Sequence, residues 1–257
     1  MVETHSDERA VEFYSEYQLA RRNIPMLQVA PYPKPFSGGT FEPLALPFHS
    51  VAQDALREIA NSINDFGRYV RALKAWNQIY QKASKEDQYV LLLEHVRPLA
   101  TLCLTAPQAL RGRFIYAATS TSYYANAFSN QTASRPKWTG SHTDMKTAKT
   151  VSQNWSTWPA LAAALNRIGR DVFNRATSDF RNQHEHGHPR SIELGHIGVV
   201  QKIEIHGRTG WSLGQQEPMK ISELLPTLEQ EHGYAMDAFT AYLAMVEEQN
   251  ASVPPIS

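Results

Sequence analysis

The stretch that decides the fold runs from Pro159 to Pro189: PALAAALNRIGRDVFNRATSDFRNQHEHGHP. Within it Leu161, Leu165, Ile168, Val172, Ala176 and Phe180 recur every three or four residues, the period of a helix with one apolar face. The spacing predicts a single amphipathic helix, Ala160–His186, opened by Pro159. Gly187 is expected as a left-handed cap, ahead of Pro189, which rejects further helix. The far end of this helix carries Arg181, Asn182, His184 and His186, with His188 just beyond. That combination offers an anionic ligand a fixed cation, hydrogen-bond donors and imidazoles, a group that ordinarily titrates near neutrality.

Outward from that helix the chain reads as mostly helical. Residues 6–22 suit a surface helix capped by Ser6 or Asp7, with Val11, Tyr14 and Leu19 as its apolar residues. Prolines at 25, 31, 33, 35, 43 and 47, with Gly38-Gly39, then deny helical hydrogen bonds and predict an extended linker or wrapping arm. Between residues 50 and 82 Val51, Ala55, Ile59, Ile63, Phe66, Val70, Leu73, Trp76 and Tyr80 restore the helical period, as one long helix or as two broken at Gly67. Ser84 with Glu86-Asp87 marks another start. Tyr89, Leu92, Leu93 and Val96 continue it, buried, until Pro98 bends or ends it. After Pro107, residues 109–128 form a further helix with a small-residue run at 119–122.

Residues 129–155 read as a long polar loop with one short helix at most. Beyond the histidine cluster, β-branched alternation over 197–205, a turn at 207–210 and Trp211 to Leu213 predict a small β-hairpin. A last helix or helix pair covers 222–248, broken near His232-Gly233. The expected fold class is therefore all-α, a helical bundle with a hairpin inserted near 197–213. Its expected organisation is an N-terminal helix and proline-rich arm over 1–48 and a helical domain over 49–257.

Composition excludes several functions. The chain has 257 residues, 25 Lys+Arg against 25 Asp+Glu, and 42% hydrophobic residues, so no global field draws in nucleic acid and any such contact needs a local patch. The single cysteine, Cys103, lies among leucines and is expected in the core. It forms neither a disulfide framework nor a thiolate metal site within one chain. Residues 1–9 have no apolar run, and Tyr89–Leu104 is interrupted by Glu94, His95, Arg97 and Pro98. Neither a secretory signal nor a membrane span is expected, and the expected location is the cytoplasm.

Arg181-Asn182-Gln183-His184-Glu185-His186-Gly187 resembles the R-N-x-x-x-H-G signature that ends a helix in HEPN domains, which are helical bundles and often dimers. The resemblance covers the motif and its helical setting, about residues 109–248, and not the arm. It implies a metal-independent endoribonuclease whose paired motifs, from two subunits, face one RNA cleft. A toxin, defence or stress-response setting is implied too, with an antitoxin or a nucleotidyltransferase as partner. Internal transesterification needs a 2′-hydroxyl deprotonated, phosphorane charge stabilised and a 5′-oxygen protonated, work that histidine and arginine perform without metal or other cofactor. On the resemblance, His186 is the acid/base residue, Arg181 holds the scissile phosphate, and Asn182 orients the histidine or touches the phosphate. Residues five apart on a strict helix lie about 140° apart around its axis, so Arg181 and His186 share a cleft only if the helix end unwinds or the side chains reach across.

Other readings stand beside it. The same motif serves a non-catalytic HEPN-like module that binds nucleotides or proteins. Arg181 with Glu185 reads equally as an exposed helix ion pair contributing a few tenths of a kcal/mol. His184, His186 and His188 in an extended segment would project to one side and hold zinc. Arg111 and Arg113 beside Phe114, Tyr116, Tyr123 and Tyr124 read either as a base-stacking surface or as core aromatics. Lys137, His142, Lys146 and Lys149, and His206 with Arg208, are candidate RNA-guiding charges or ordinary solvated ones.

Overall fold

A computed structural model of the chain describes residues 7–33, 46–128, 138–140, 143–195, 197–205 and 208–253. The architecture is mostly helical with one β-hairpin. In chain order it comprises α1 (Asp7–Asn23), α2 (Leu46–Tyr80), α3 (Lys85–Leu91), a π-turn (Leu92–Val96), α4 (Arg97–Phe128), α5 (Met145–Ser152), α6 (Trp158–Leu165), α7 (Asp171–Ala176), α8 (Phe180–His186), β1 (Ile197–Ile205), β2 (Arg208–Gln216) and α9 (Ile221–Ser252). Two compact units divide the chain. The first holds residues 1–27, 68–105 and 171–229, the second 28–67, 106–170 and 230–257, so α2, α4 and α9 each contribute to both.

In the first unit Phe13 and Tyr17 are the buried residues of α1, while the expected Val11, Tyr14 and Leu19 are exposed. Arg71 donates to the carbonyls of Arg21 and Ile24 at 2.6 and 2.9 Å, closing the C-terminal end of α1, where carbonyls lack helical partners. Ser84 caps α3 as expected, its hydroxyl accepting from Asp87 N–H. Pro98 has no N–H for the carbonyl of Glu94. Immediately before it the chain widens into the π-turn, with Arg97 N–H bonded to Leu92 O five residues back. Helical structure therefore continues through Pro98, and also through Pro107, where a break was expected. Burial of Cys103, Leu104, Leu110 and Phe114 on both sides of Pro107 offsets its missing hydrogen bond. The continuous helical run from Lys85 to Ala127 is long and apolar enough to cross a membrane by length and composition, with a third of its most apolar window buried inside the protein.

The expected helix over 160–186 is three helices. Gly169, left-handed at φ 58°, lies in the turn between α6 and α7, where a Cβ would meet Gln108 Cγ at 2.9 Å. After this turn the register slips by one residue. Val172 and Ala176, assigned to the core by spacing, are exposed, and Phe173 and Thr177 are buried in their place. A Schellman motif ends α7, Asp179 N–H bonding Asn174 O at 2.7 Å and Ser178 N–H bonding Arg175 O at 3.3 Å. Ser178 occupies the left-handed position that glycine normally takes, and Asp179 follows at φ 53° too. Phe180, buried, then anchors α8.

The hairpin forms as expected, antiparallel, with Ile205 paired to Arg208 and Ile197 to Gln216. Of the turn expected over 207–210, residues 208–210 belong to β2, and Gly207 lies outside the described residues. A parallel bridge between Ile192 and Met219 closes its base. There the buried Glu193 accepts from Ile221 N–H at 2.6 Å, satisfying an open donor at the start of α9.

The second unit buries Phe48, Leu56, Ile63, Phe66, Phe114, Leu161, Phe239 and Tyr242. Neither Gly67 nor Gly233 breaks its helix. Gly67 has another role: a Cβ there would lie 2.9 Å from Nε2 of the buried His232. The visible end of the proline-rich arm docks on α2, Ala30 exchanging two bonds with the buried Asn64 amide at 2.8 and 3.1 Å. Of the long polar interval, α5 is helical, capped by Asp144 on Thr147 N–H. The expected Lys137, His142 and His206 lie outside the described residues. Cys103 is in the core as expected, and burial pushes its thiol up.

Candidate functional site

The motif occupies a seven-residue helix, α8, in the first unit, aimed by a strained turn. Two consecutive non-glycine residues in the left-handed region each cost about 1 kcal/mol or more, and Ser178 and Asp179 bear that cost immediately before Phe180. Asn182 ties back to the turn, its Nδ2 donating to Asp179 Oδ2 at 3.1 Å. Arg190 reaches the same turn from beyond the histidines, contacting Ser178 Oγ at 3.5 Å and donating to the carbonyl of Glu217. Gln216 at the end of β2 contacts Ser178 Oγ at 3.4 Å.

Glu185 brings the arginine and the histidine together. Arg181 Nε donates to Glu185 Oε1 at 2.9 Å, and Glu185 Oε2 lies 3.8 Å from His186 Nε2. One carboxylate thus bridges two residues that helical geometry separates by about 140°, without the helix unwinding before His186. All three side chains are exposed, His186 at 71%. Arg181 spends only its Nε–H on Glu185. Its two terminal amino groups, four of the five guanidinium donors, have no partner among the described residues and remain for a ligand. Glu185 and Arg190 were not singled out as functional from the sequence. The i,i+4 spacing of Glu185 from Arg181 was the visible signal for the first, and nothing local marked the second.

Gly187 ends α8 at φ −156° and ψ −136°, and not in the left-handed cap that was expected. His184 and His186 lie within the helix, so they do not alternate along an extended segment. His184 stacks on Phe180, ring centroids 5.6 Å apart, and among the described residues no three His, Cys, Asp or Glu side chains gather into a metal-binding group.

The arginine-aromatic stretch of α4, in the second unit, divides between core and surface. Phe114 is buried. Arg111 donates to Leu165 O at 3.0 Å, and burial, with Arg170 nearby, holds its guanidinium below its ordinary value. Arg113 donates to Ser62. Tyr116 and Tyr123 pack edge-on against Trp138 at 5.8 and 5.6 Å.

No protein-family model matches this chain. Comparison with curated proteins and with solved structures finds no significant match either. The residues of α8 and its turn therefore carry the functional argument alone.

Proposed function

We propose that the protein is a metal-independent endoribonuclease of HEPN type, with α8 as its phosphodiester-binding and cleaving surface. The observation that carries this reading is the exposed Arg181–Glu185–His186 constellation held beside a strained turn, since strained backbone clusters at functional sites. The terminal amino groups of Arg181 take the non-bridging phosphate oxygens in fork geometry, and Arg190 adds a second cation by the turn. His186 accepts the 2′-hydroxyl proton as that oxygen attacks phosphorus, with the Glu185 carboxylate 3.8 Å from its Nε2. A protonated histidine then delivers a proton to the departing 5′-oxygen, which leaves a 2′,3′-cyclic phosphate. In a homodimer the partner's His186 supplies that second histidine. Asn182, with its amide on Asp179, keeps a carbonyl oxygen to receive a ribose hydroxyl.

End-labelled structured and unstructured RNAs incubated in EDTA test this reading, with wild type compared against Arg181→Ala and His186→Ala. Cleavage by wild type alone is expected. Equal cleavage by all three proteins, or none, removes the assignment. The cytoplasm is the proposed location, and an antitoxin or a nucleotidyltransferase remains the proposed partner on the resemblance alone.

A second reading, a non-catalytic HEPN-like binding module, is favoured by one observation: Glu185 neutralises Arg181 in the free protein. It predicts retained RNA or nucleotide binding with no cleavage under any condition.

A further inference from the structure

Away from α8, the first unit contains a cavity of 410 Å³ lined from α1 by Tyr14, Tyr17 and Arg21, from α2 by Trp76, and from the π-turn by Glu94 and His95. Small-ligand sites have volumes of about 300–1,000 Å³ and combine apolar walls with a few convergent polar groups. This cavity has both. Leu99 and Leu102 complete the apolar wall, and Gln18 adds an amide.

Three features set it apart from a packing defect. The rings of Tyr17, Trp76 and His95 form a continuous stack, with centroids 4.5 Å apart at 12° and then 3.9 Å apart at 5°. Such a stack fixes His95 against a rigid wall, and burial holds its imidazole below the ordinary value despite Glu94, so it presents a neutral ring. The π-turn, a wide turn frequent at functional sites, places the adjacent Glu94 and His95 on the same cavity. Arg21 has no carboxylate partner among the described residues, and its Nε is buried without a hydrogen bond. A buried donor left open is destabilising unless something accepts from it.

From this geometry we propose that the cavity binds a mononucleotide unit, either free or as an unpaired residue of single-stranded RNA. The exposed Tyr14 ring provides the stacking face for the base. Arg21 takes the phosphate. The Glu94 carboxylate accepts from N–H groups on the base edge, which favours guanine, with adjacent N1–H and N2–H donors, over uracil with one. The site is independent of α8 and of the reaction proposed there.

Isothermal titration of the full-length protein with GMP, guanosine, UMP and a short single-stranded oligoribonucleotide tests the assignment. Tyr14→Ala and Arg21→Gln are the site variants, Arg181→Ala is the control, and unfolding curves verify that each variant is folded. Saturable one-to-one GMP binding is expected, weakened about tenfold by Arg21→Gln through loss of a charge-assisted bond. Tyr14→Ala should weaken GMP and guanosine alike, whereas Arg21→Gln should leave guanosine unchanged. Arg181→Ala should bind GMP as wild type does. If the oligoribonucleotide displaces GMP at lower concentration, RNA is the source of the bound unit; if it does not compete, the free nucleotide is. No saturable GMP binding at 10 mM, on the order of the weakest affinities that count as recognition, overturns the proposal. So does binding that folded Tyr14→Ala and Arg21→Gln leave unaltered.

Discussion

Replacing Glu231 by glutamine should stabilise the protein above pH 7 and leave its stability unchanged below pH 4.5. Glu231 is only 3% exposed and accepts one bond, from Gly169 N–H to Oε2 at 2.8 Å. Burial raises its carboxyl from 4.5 to about 7, against the opposing effect of that bond. A carboxyl that binds its proton more tightly in the folded state than in the unfolded one contributes its full share of stability below pH 4.5. It loses that share as pH rises to 7. At about 1.4 kcal/mol per pH unit the full loss is about 3 kcal/mol, an upper figure because solvent admitted on ionisation screens the charge. Glutamine keeps a carbonyl oxygen for Gly169 N–H and never ionises, so at pH 8 it should gain most of that amount. His232 next to it is also held below its ordinary value by burial, so acid destabilises both proteins equally and cancels in the difference. Urea unfolding of both proteins at half-unit intervals from pH 4 to 9 gives the difference curve. A difference that is flat with pH, or a less stable Glu231→Gln protein at pH 8, would show that burial does not raise the Glu231 carboxyl.

Gly67→Ala should cost about 1–3 kcal/mol in urea unfolding, because the added Cβ would lie 2.9 Å from His232 Nε2 in a filled core. Ser178→Gly should gain about 1 kcal/mol by relieving a left-handed residue, less whatever its contacts with Arg190 and Gln216 contribute, as a rise in Tm reports. Glu248 receives Ser156 N–H and Thr157 N–H at 2.7 and 2.9 Å. Burial alone would raise its carboxyl, but these bonds and the Thr157 hydroxyl hold it below its ordinary value. Glu248→Ala should therefore destabilise by about 2 kcal/mol at pH 7 and by progressively less as pH falls through the carboxylate range. Arg181→Ala should shift stability by less than about 0.5 kcal/mol, since the Arg181–Glu185 pair is exposed; its loss of any activity would then be chemical and not a failure to fold.

Much of the fold was legible in the chain because burial leaves a periodic trace. Ile59, Ile63, Phe66, Val70 and Leu73 repeat at helical spacing and are all buried, and alternation over 197–205 marked β1. What failed was continuity. Periodicity over 160–186 does not register a turn whose residues preserve the spacing of leucines and isoleucines while rotating the next helix by one position, so Val172 was chosen where Phe173 is buried. Gly169 and the Thr177-Ser178-Asp179 run were the local signals for the two breaks. The opposite error arose at Pro107 and Gly233, where local breakers were overridden by burial along both sides of long helices. At the candidate site Arg181, Asn182 and His186 were visible as residue types at motif spacing. Their meeting through Glu185 depends on side-chain reach across the helix, which no spacing rule encodes. Arg190 arrives from beyond the helix, and Trp76 stacks on Tyr17 and His95 from distant segments, so both belong to tertiary structure alone.

Metal-independent transesterification leaves its mark in the chemistry of the cut. An RNA that wild type cleaves in EDTA should be compared with the same RNA carrying a single 2′-deoxy residue at the cleavage position. Attack by the 2′-hydroxyl should give 2′,3′-cyclic phosphate ends from the first and leave the second strand intact. Cutting that persists through the deoxy residue, or that appears only when a divalent metal is supplied, contradicts it.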